Sequence, residues 1–202
     1  MAVLLQPASR EALADAERRL DSAVDGSSAN DLERLGDDLF SVLHLLISEP
    51  SLRRALGDSS AAASARSSLA DQLLSGKVGR SAMDVVSELV TARWSRSLDL
   101  VEALEVLARR ATLGVAEKNG TLSEVEDELF RFGRILDREP RLAALLADPA
   151  TPADGRVKLL RDLLGQKVLP ITSKLLTQAV NEPRGRNLDR AVRSPPGSAA
   201  WR

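Results

Sequence analysis

The sequence has no cysteine and no tyrosine, one histidine, two tryptophans and three phenylalanines in 202 residues. Without cysteine there is no disulfide framework, no thiolate nucleophile and no thiolate metal ligand, and a reducing compartment is compatible with the chain. Aromatics are only 2% of residues against 44% hydrophobic, so any core is built from leucine, valine and alanine, a mixture that favours helix over sheet. Charge of one sign is missing as well: 28 Lys and Arg stand against 29 Asp and Glu. That balance lacks the basic excess that holds a protein to nucleic acid or anionic lipid, so neither is expected as a partner. The longest apolar run, Val42 to Ile47, is broken by His44 and falls far short of the roughly 20 residues of a membrane span, so no direct membrane insertion is expected. The opening Met1-Ala2-Val3-Leu4-Leu5 has neither a basic segment nor an extended apolar stretch before Arg10-Glu11, which speaks against a secretory signal. The chain is expected to be cytosolic, or peripheral to a membrane through a partner.

Residues for chemistry are equally sparse. His44 lies between Leu43 and Leu45 on a core helix and reads as a boundary residue rather than a general base. Asp37-Asp38 and Glu126-Asp127-Glu128 read as solvated faces near helix starts, where negative charge suits the helix dipole, rather than as a metal site. Gly76, Gly79 and Gly165 match no phosphate loop or dinucleotide fingerprint and read as helix ends. Arg93-Trp94-Ser95-Arg96 and Arg184-Gly185-Arg186 read as basic turns between helices, too small for a nucleic-acid face. Phe130 and Phe132 are both assigned to core packing. No cofactor, metal or catalytic residue is expected.

What the chain does have is itself, twice. Asp37 to Val78 aligns with Asp127 to Val168 without a gap at a shift of ninety: Leu39-Phe40 returns as Leu129-Phe130, Glu49-Pro50 as Glu139-Pro140, Arg66 as Arg156, and Leu73-Leu74 as Leu163-Leu164. The stripe Leu35, Leu39, Val42, Leu46 is reproduced as Val125, Leu129, Phe132, Leu136 at the same helical offsets. Pro50 and Pro140 stop these helices, and short helices are expected over Leu52 to Leu56 and Leu142 to Leu146. Helices over Ala61 to Leu74 and Ala153 to Leu164 follow. Fifth helices carry Val85, Val86, Leu89 and Val90 in one copy and Leu175, Leu176, Ala179 and Val180 in the other. The second copy shows the clearer starting signals, with capping-box spacing at Thr121-Leu122-Ser123-Glu124 and a proline at Thr151-Pro152.

A first helix over Ser9 to Val24 is echoed in Leu98 to Lys118, where Glu102-Ala103-Leu104 repeats Glu11-Ala12-Leu13. That segment closes the first copy and opens the second. A third start at Asn187 to Val192 fails at Ser194-Pro195-Pro196. The expected architecture is all-α, two tandem copies of a roughly six-helix bundle sharing a central helix. The first module spans 1–97, the second 98–193, and a disordered, non-native tail 194–202. Such a bundle, with grooves between its helices, acts by accepting a partner helix.

The run Leu122 to Leu136, followed by Leu142 to Pro149, Lys158-Leu159-Leu160, Leu163-Leu164 and Pro183-Arg184-Gly185-Arg186, resembles the delta subunit of bacterial F-type ATP synthases, a family related to the oligomycin-sensitivity-conferring protein. The first copy, with Ala92-Arg93-Trp94-Ser95, resembles the extra helical domain of the long delta subunits of high-GC Gram-positive bacteria. The resemblance implies a non-catalytic stator subunit in the peripheral stalk, at the cytoplasmic face of the membrane, that resists rotor torque. It implies that the helical domain grips the N-terminal helix of an alpha subunit between its first and fifth helices, and that a C-terminal domain joins the b-type stalk subunit. Carried to this chain, the second-copy groove would use Leu104, Leu107 and Ala111 with Leu175, Leu176, Ala179 and Val180. The first-copy groove would use Leu13, Leu20, Val86 and Val90. The family's C-terminal domain is not recognisable, which reads as truncation or frameshift, with impaired coupling to the b-type subunit. The alternative from composition alone is a free-standing helical adaptor; an enzyme would need a site built around His44.

Overall fold

The computed structural model describes residues 5–181 together with Leu188 and Val192. Among the described residues there are ten helices and no strand. These are α1 (Pro7–Gly26), α2 (Ala29–Ser48), α3 (Pro50–Gly57), α4 (Ala63–Leu74), α5 (Arg80–Thr91), α6 (Ser97–Lys118), α7 (Leu122–Arg138), α8 (Pro140–Ala147), α9 (Ala153–Leu164) and α10 (Pro170–Asn181). The bounds of α3, α4 and α5 recur in α8, α9 and α10 at the ninety-residue shift. The all-α expectation is thus met. The expected tail 194–202, the turn Arg184-Gly185-Arg186 and most of the third repeat start lie outside the described residues.

The chain divides into two compact units, Met1–Val115 and Ala116–Arg202. In the first, α4 and α5 form a hairpin, α2 packs on α3 and α5, α3 on α4, and α1 on α5. Its core is aliphatic: Leu39, Leu46, Leu56, Leu89, Leu100, Leu104 and Leu107 are fully buried, and Trp94 is drawn in with its indole N–H donating to the Leu89 carbonyl at 2.6 Å. Gly36 lets α6 lie close to α2, because a Cβ there would come within 2.6 Å of Thr112 Oγ1. In the second unit α9 and α10 form the hairpin, and α7 packs on α8 and α10. Leu129, Leu146, Leu160, Leu176 and Val180 are fully buried.

Several local expectations are corrected. Pro50 and Pro140 do not merely end a helix; each occupies the first turn of the next one, where a missing N–H costs nothing, so α3 and α8 start earlier than expected. Pro152 stands one residue before α9 rather than inside its first turn. Thr121 precedes α7 but makes no side-chain cap; its hydroxyl donates to the Ala116 carbonyl instead. The complete capping box belongs to the first copy, where Ser28 and Asp31 bond reciprocally and hold the Asp31 carboxyl below the usual range. Phe132 is core, whereas Phe130 is 58% exposed. Phe130 lies outside the stripe of Val125, Leu129, Phe132 and Leu136, and helical geometry turns it away from the buried face.

Candidate functional site

The ninety-residue repeat recurs in the polar contacts, and these converge on α5 in the first unit and on its counterpart α10 in the second. At its start, Asp38 of α2 accepts the Gly79 amide at 2.8 Å; Glu128 of α7 accepts the Leu169 amide at 3.0 Å and the Thr172 hydroxyl. A carboxylate from a neighbouring helix thus takes an N-terminal amide that has no partner within its own helix. At its end, an arginine on the fourth helix takes the last carbonyls. Arg66 donates to the carbonyls of Val90, Thr91 (3.3 Å) and Ala92 (2.8 Å). Arg156 donates to those of Val180 (3.1 Å), Asn181 (3.2 Å), Asp148 (3.0 Å) and Thr151. Both arginines are buried, so their charge is spread over main-chain oxygens in place of water.

The turn before each fourth helix is built alike. Asp58 accepts the Ser60 hydroxyl and amide, and Asp148 accepts the Ala150 amide and the Thr151 hydroxyl. These bonds hold both carboxyls below the usual range: the Ser60 hydroxyl is the main cause at Asp58 and the Ala150 amide at Asp148. Each fifth helix is therefore tied at both ends while its apolar face fills the core.

The structure places every residue expected to line a groove. Leu104, Leu107 and Ala111 lie in the hydrophobic core of the first unit; Leu175, Leu176, Ala179 and Val180 are buried in the second. In the first unit α1 packs on α5, with Leu20, Val86 and Val90 buried and Leu13 half-buried. That seam is bridged by Arg19 Nε to Glu88 at 2.9 Å, and desolvation raises the Glu88 carboxyl. Further along α1, Asp21 pairs with Arg110 at 2.6 Å, while Glu17, half-buried between them, is pushed up by desolvation. At the helix start, buried Ser9 donates to buried Asp99 at 2.8 Å, and Arg96 holds the other carboxylate oxygen.

The paired acid and arginine ties went unread in the sequence. Asp38 and Glu128 stand among other acids and look solvated. Arg66 and Arg156 carry the detectable signal: each sits on its helix's apolar stripe, four residues before Ala70 and Leu160, where a solvated charge has no place. His44 is half-buried in α2. Among the described residues no group of three or more His, Asp and Glu side chains could hold a metal ion, and no helix is long and apolar enough to cross a membrane.

A helical arrangement repeated at a ninety-residue shift, with α5 and α10 each fastened at both ends, defines a structural helical scaffold. The family described as the ATP synthase delta (OSCP) subunit matches residues 107–194. The chain is 44% identical to "ATP synthase subunit delta" of Streptomyces griseus over 98% of its own length and 73% of the relative's, and 45% identical to that of Streptomyces avermitilis over 96% and 71%. It is 43% identical to "ATP synthase subunit b-delta" of a Mycobacterium species over 94% of its own length and 43% of the relative's. The chain belongs to the ATP synthase delta subunit family, and it is a structural, non-catalytic subunit of the peripheral stalk of an F-type ATP synthase. It is accordingly a peripheral component of a membrane-bound complex.

Proposed function

We propose that the two copies act as tandem six-helix modules, 1–97 and 98–193, with α6 closing one and opening the other, and that they grip the catalytic head through the seam of their first and fifth helices. The occupant of that seam is the N-terminal helix of an alpha subunit. Leu104, Leu107 and Ala111 in the first unit and Leu175, Leu176, Ala179 and Val180 in the second are the buried residues behind these helices, and contact is made through their half-buried neighbours. The observation that carries this reading is the tie at both ends of α5 and α10, which makes each fifth helix a rigid platform for a partner. A b-type stalk subunit is the second partner, in keeping with the relatives in which b and delta form one polypeptide. The complex places the chain at the cytoplasmic face of the membrane, where it resists rotor torque.

The test is calorimetric titration of the intact chain with a peptide from the N-terminus of the matching alpha subunit. Saturable binding is expected. Its loss in Leu13→Glu would locate the seat on α1 of the first unit, and its loss in a variant of half-buried Gln178 of α10, Gln178→Glu, would locate it on α10. Absence of binding to the unmodified chain would sink the groove reading.

A further inference from the structure

The turn between α6 and α7 carries the sequence Lys118-Asn119-Gly120-Thr121. Two main-chain bonds close it: the Gly120 N–H donates to the Glu117 carbonyl at 3.1 Å, and the Thr121 N–H to the Ala116 carbonyl at 2.8 Å. This pairing needs a left-handed residue just past the helix, and Gly120 supplies it at φ +70°. Any other residue would be strained there, although nothing lies within 4 Å of where a Cβ would stand. The fold therefore requires glycine at 120, and that glycine directly follows an exposed asparagine.

The same requirement creates a reactive pair, because no Cβ on residue 120 hinders the approach of its nitrogen to Asn119 Cγ. Asn30, Asn181 and Asn187 precede Asp31, Glu182 and Leu188, so Asn119 alone has a glycine neighbour. When the Gly120 nitrogen attacks Asn119 Cγ, the N–Cγ bond forms and the Cγ–Nδ2 bond breaks. Nδ2 leaves as ammonia, carrying the proton of the attacking nitrogen. Water then opens the five-membered imide at either carbonyl, giving aspartate or isoaspartate at 119. Residues 119 and 120 are both exposed, so water reaches the imide. The native turn opposes the first step, since the N–H that must be given up is the donor to Glu117.

We propose that Asn119 is a site of spontaneous deamidation, restrained by the closed turn and released when the end of α6 opens. The product does not rebuild the original turn. Isoaspartate adds a methylene to the main chain, and either product sets a negative charge beside the Ala116 and Glu117 carbonyls, at the negative end of the helix dipole. The modification thus converts a transient opening of the turn into a lasting weakening of it.

The test is incubation of the intact chain in mildly alkaline buffer, followed by acid quenching and peptide mass spectrometry, beside a blocked peptide of residues 116–121. The mass gain from amide to acid separates this reaction from isomerisation at Asp25-Gly26 and Asp154-Gly155, which leaves mass unchanged. Conversion is expected at Asn119 before Asn30 and Asn181. It should run about tenfold or more slower than in the peptide, the bias that two main-chain hydrogen bonds impose. Thr121→Pro removes the donor to Ala116 and should bring the rate in the chain toward that of a peptide with the same substitution. Amide exchange at Gly120 should be slowed by the same factor as deamidation, because both require the same bond to open. That comparison decides the matter if far-UV circular dichroism shows Thr121→Pro unfolded. The proposal is overturned if Asn119 converts no faster than Asn30 and Asn181, or if its rate in the folded chain equals that of the peptide. It is equally overturned if a folded Thr121→Pro leaves the rate unchanged, or if Gly120 exchange and Asn119 deamidation show unrelated protection.

Discussion

Replacing Arg156 by methionine keeps an unbranched apolar stem but removes the buried guanidinium that four carbonyl oxygens share. A hydrogen bond to a charged group contributes about 1.5–3 kcal/mol net, but burying the guanidinium costs several kcal/mol, so the bonds do not simply add. The larger effect is what remains afterwards. The carbonyls of Val180 and Asn181, at the end of α10, lose a donor in a region where Val180 is fully buried, and an unsatisfied buried acceptor costs about 1–3 kcal/mol. Losing the cation from the negative end of the helix dipole adds up to about 1–2 kcal/mol. We therefore expect Arg156→Met to destabilise the second unit by roughly 3–5 kcal/mol, a large share of the ~5–15 kcal/mol that holds a typical domain. Arg156→Lys keeps the charge but lacks the planar fork, and should lie between the two. Urea unfolding followed by far-UV circular dichroism gives the magnitude, and native-state hydrogen exchange gives the place. Protection should fall first at the C-terminal turn of α10 and in 148–151. A loss under about 1 kcal/mol for Arg156→Met, or exchange rising evenly over α7 to α10, would refute the reasoning.

Three further outcomes follow from the same geometry. Gly36→Ala should destabilise the first unit by roughly 1–3 kcal/mol despite alanine's better helix propensity, because Thr112 Oγ1 is bonded to the Ala108 carbonyl at 3.0 Å and cannot easily retreat; adding Thr112→Ala should restore most of the loss in a double-mutant cycle. Glu128→Ala should cost about 1–2 kcal/mol, as loss of a helix N-terminal acceptor does, with amide protection falling at Leu169 and nowhere in the first unit. Glu17→Gln should stabilise the chain at neutral pH: desolvation raises this carboxyl, so its ionised form weakens the fold, and that cost is absent below the ordinary carboxylate range and sets in as pH rises through the raised value. The gap in denaturation midpoint between Glu17→Gln and the parent should close on acidification; a gap that widens in acid would reverse the sign of the argument.

How much of this was legible in the sequence depends on which interaction wrote it. The presence and order of the repeated helices were readable because stripes such as Leu35, Leu39, Val42, Leu46 recur at a fixed shift, and apolar periodicity reports a buried face directly. Start signals were less faithful. Thr121-x-x-Glu124 has the spacing of a capping box, yet its threonine bonds back to Ala116, while Ser28-x-x-Asp31, with the shorter acid, forms the complete box. The ties on α5 and α10 span 24 and 41 residues, and no local pattern encodes which acid will meet which amide. Phe130 misled for a different reason. Its counterpart Phe40 is core, and the recurrence of a residue type at the ninety-residue shift does not tell whether the same position is covered in both copies.

A helix held to its neighbours only by an apolar face can be peeled from one end, each turn giving way at little cost before the next is strained. With acids and arginines fastening both extremities of α5 and α10, neither end is left to start the tear. A pull on such a helix must slide the whole face at once or break a charged tie first. For a subunit whose work is to stay put while a motor turns, that exchanges a sequence of small failures for a single large one.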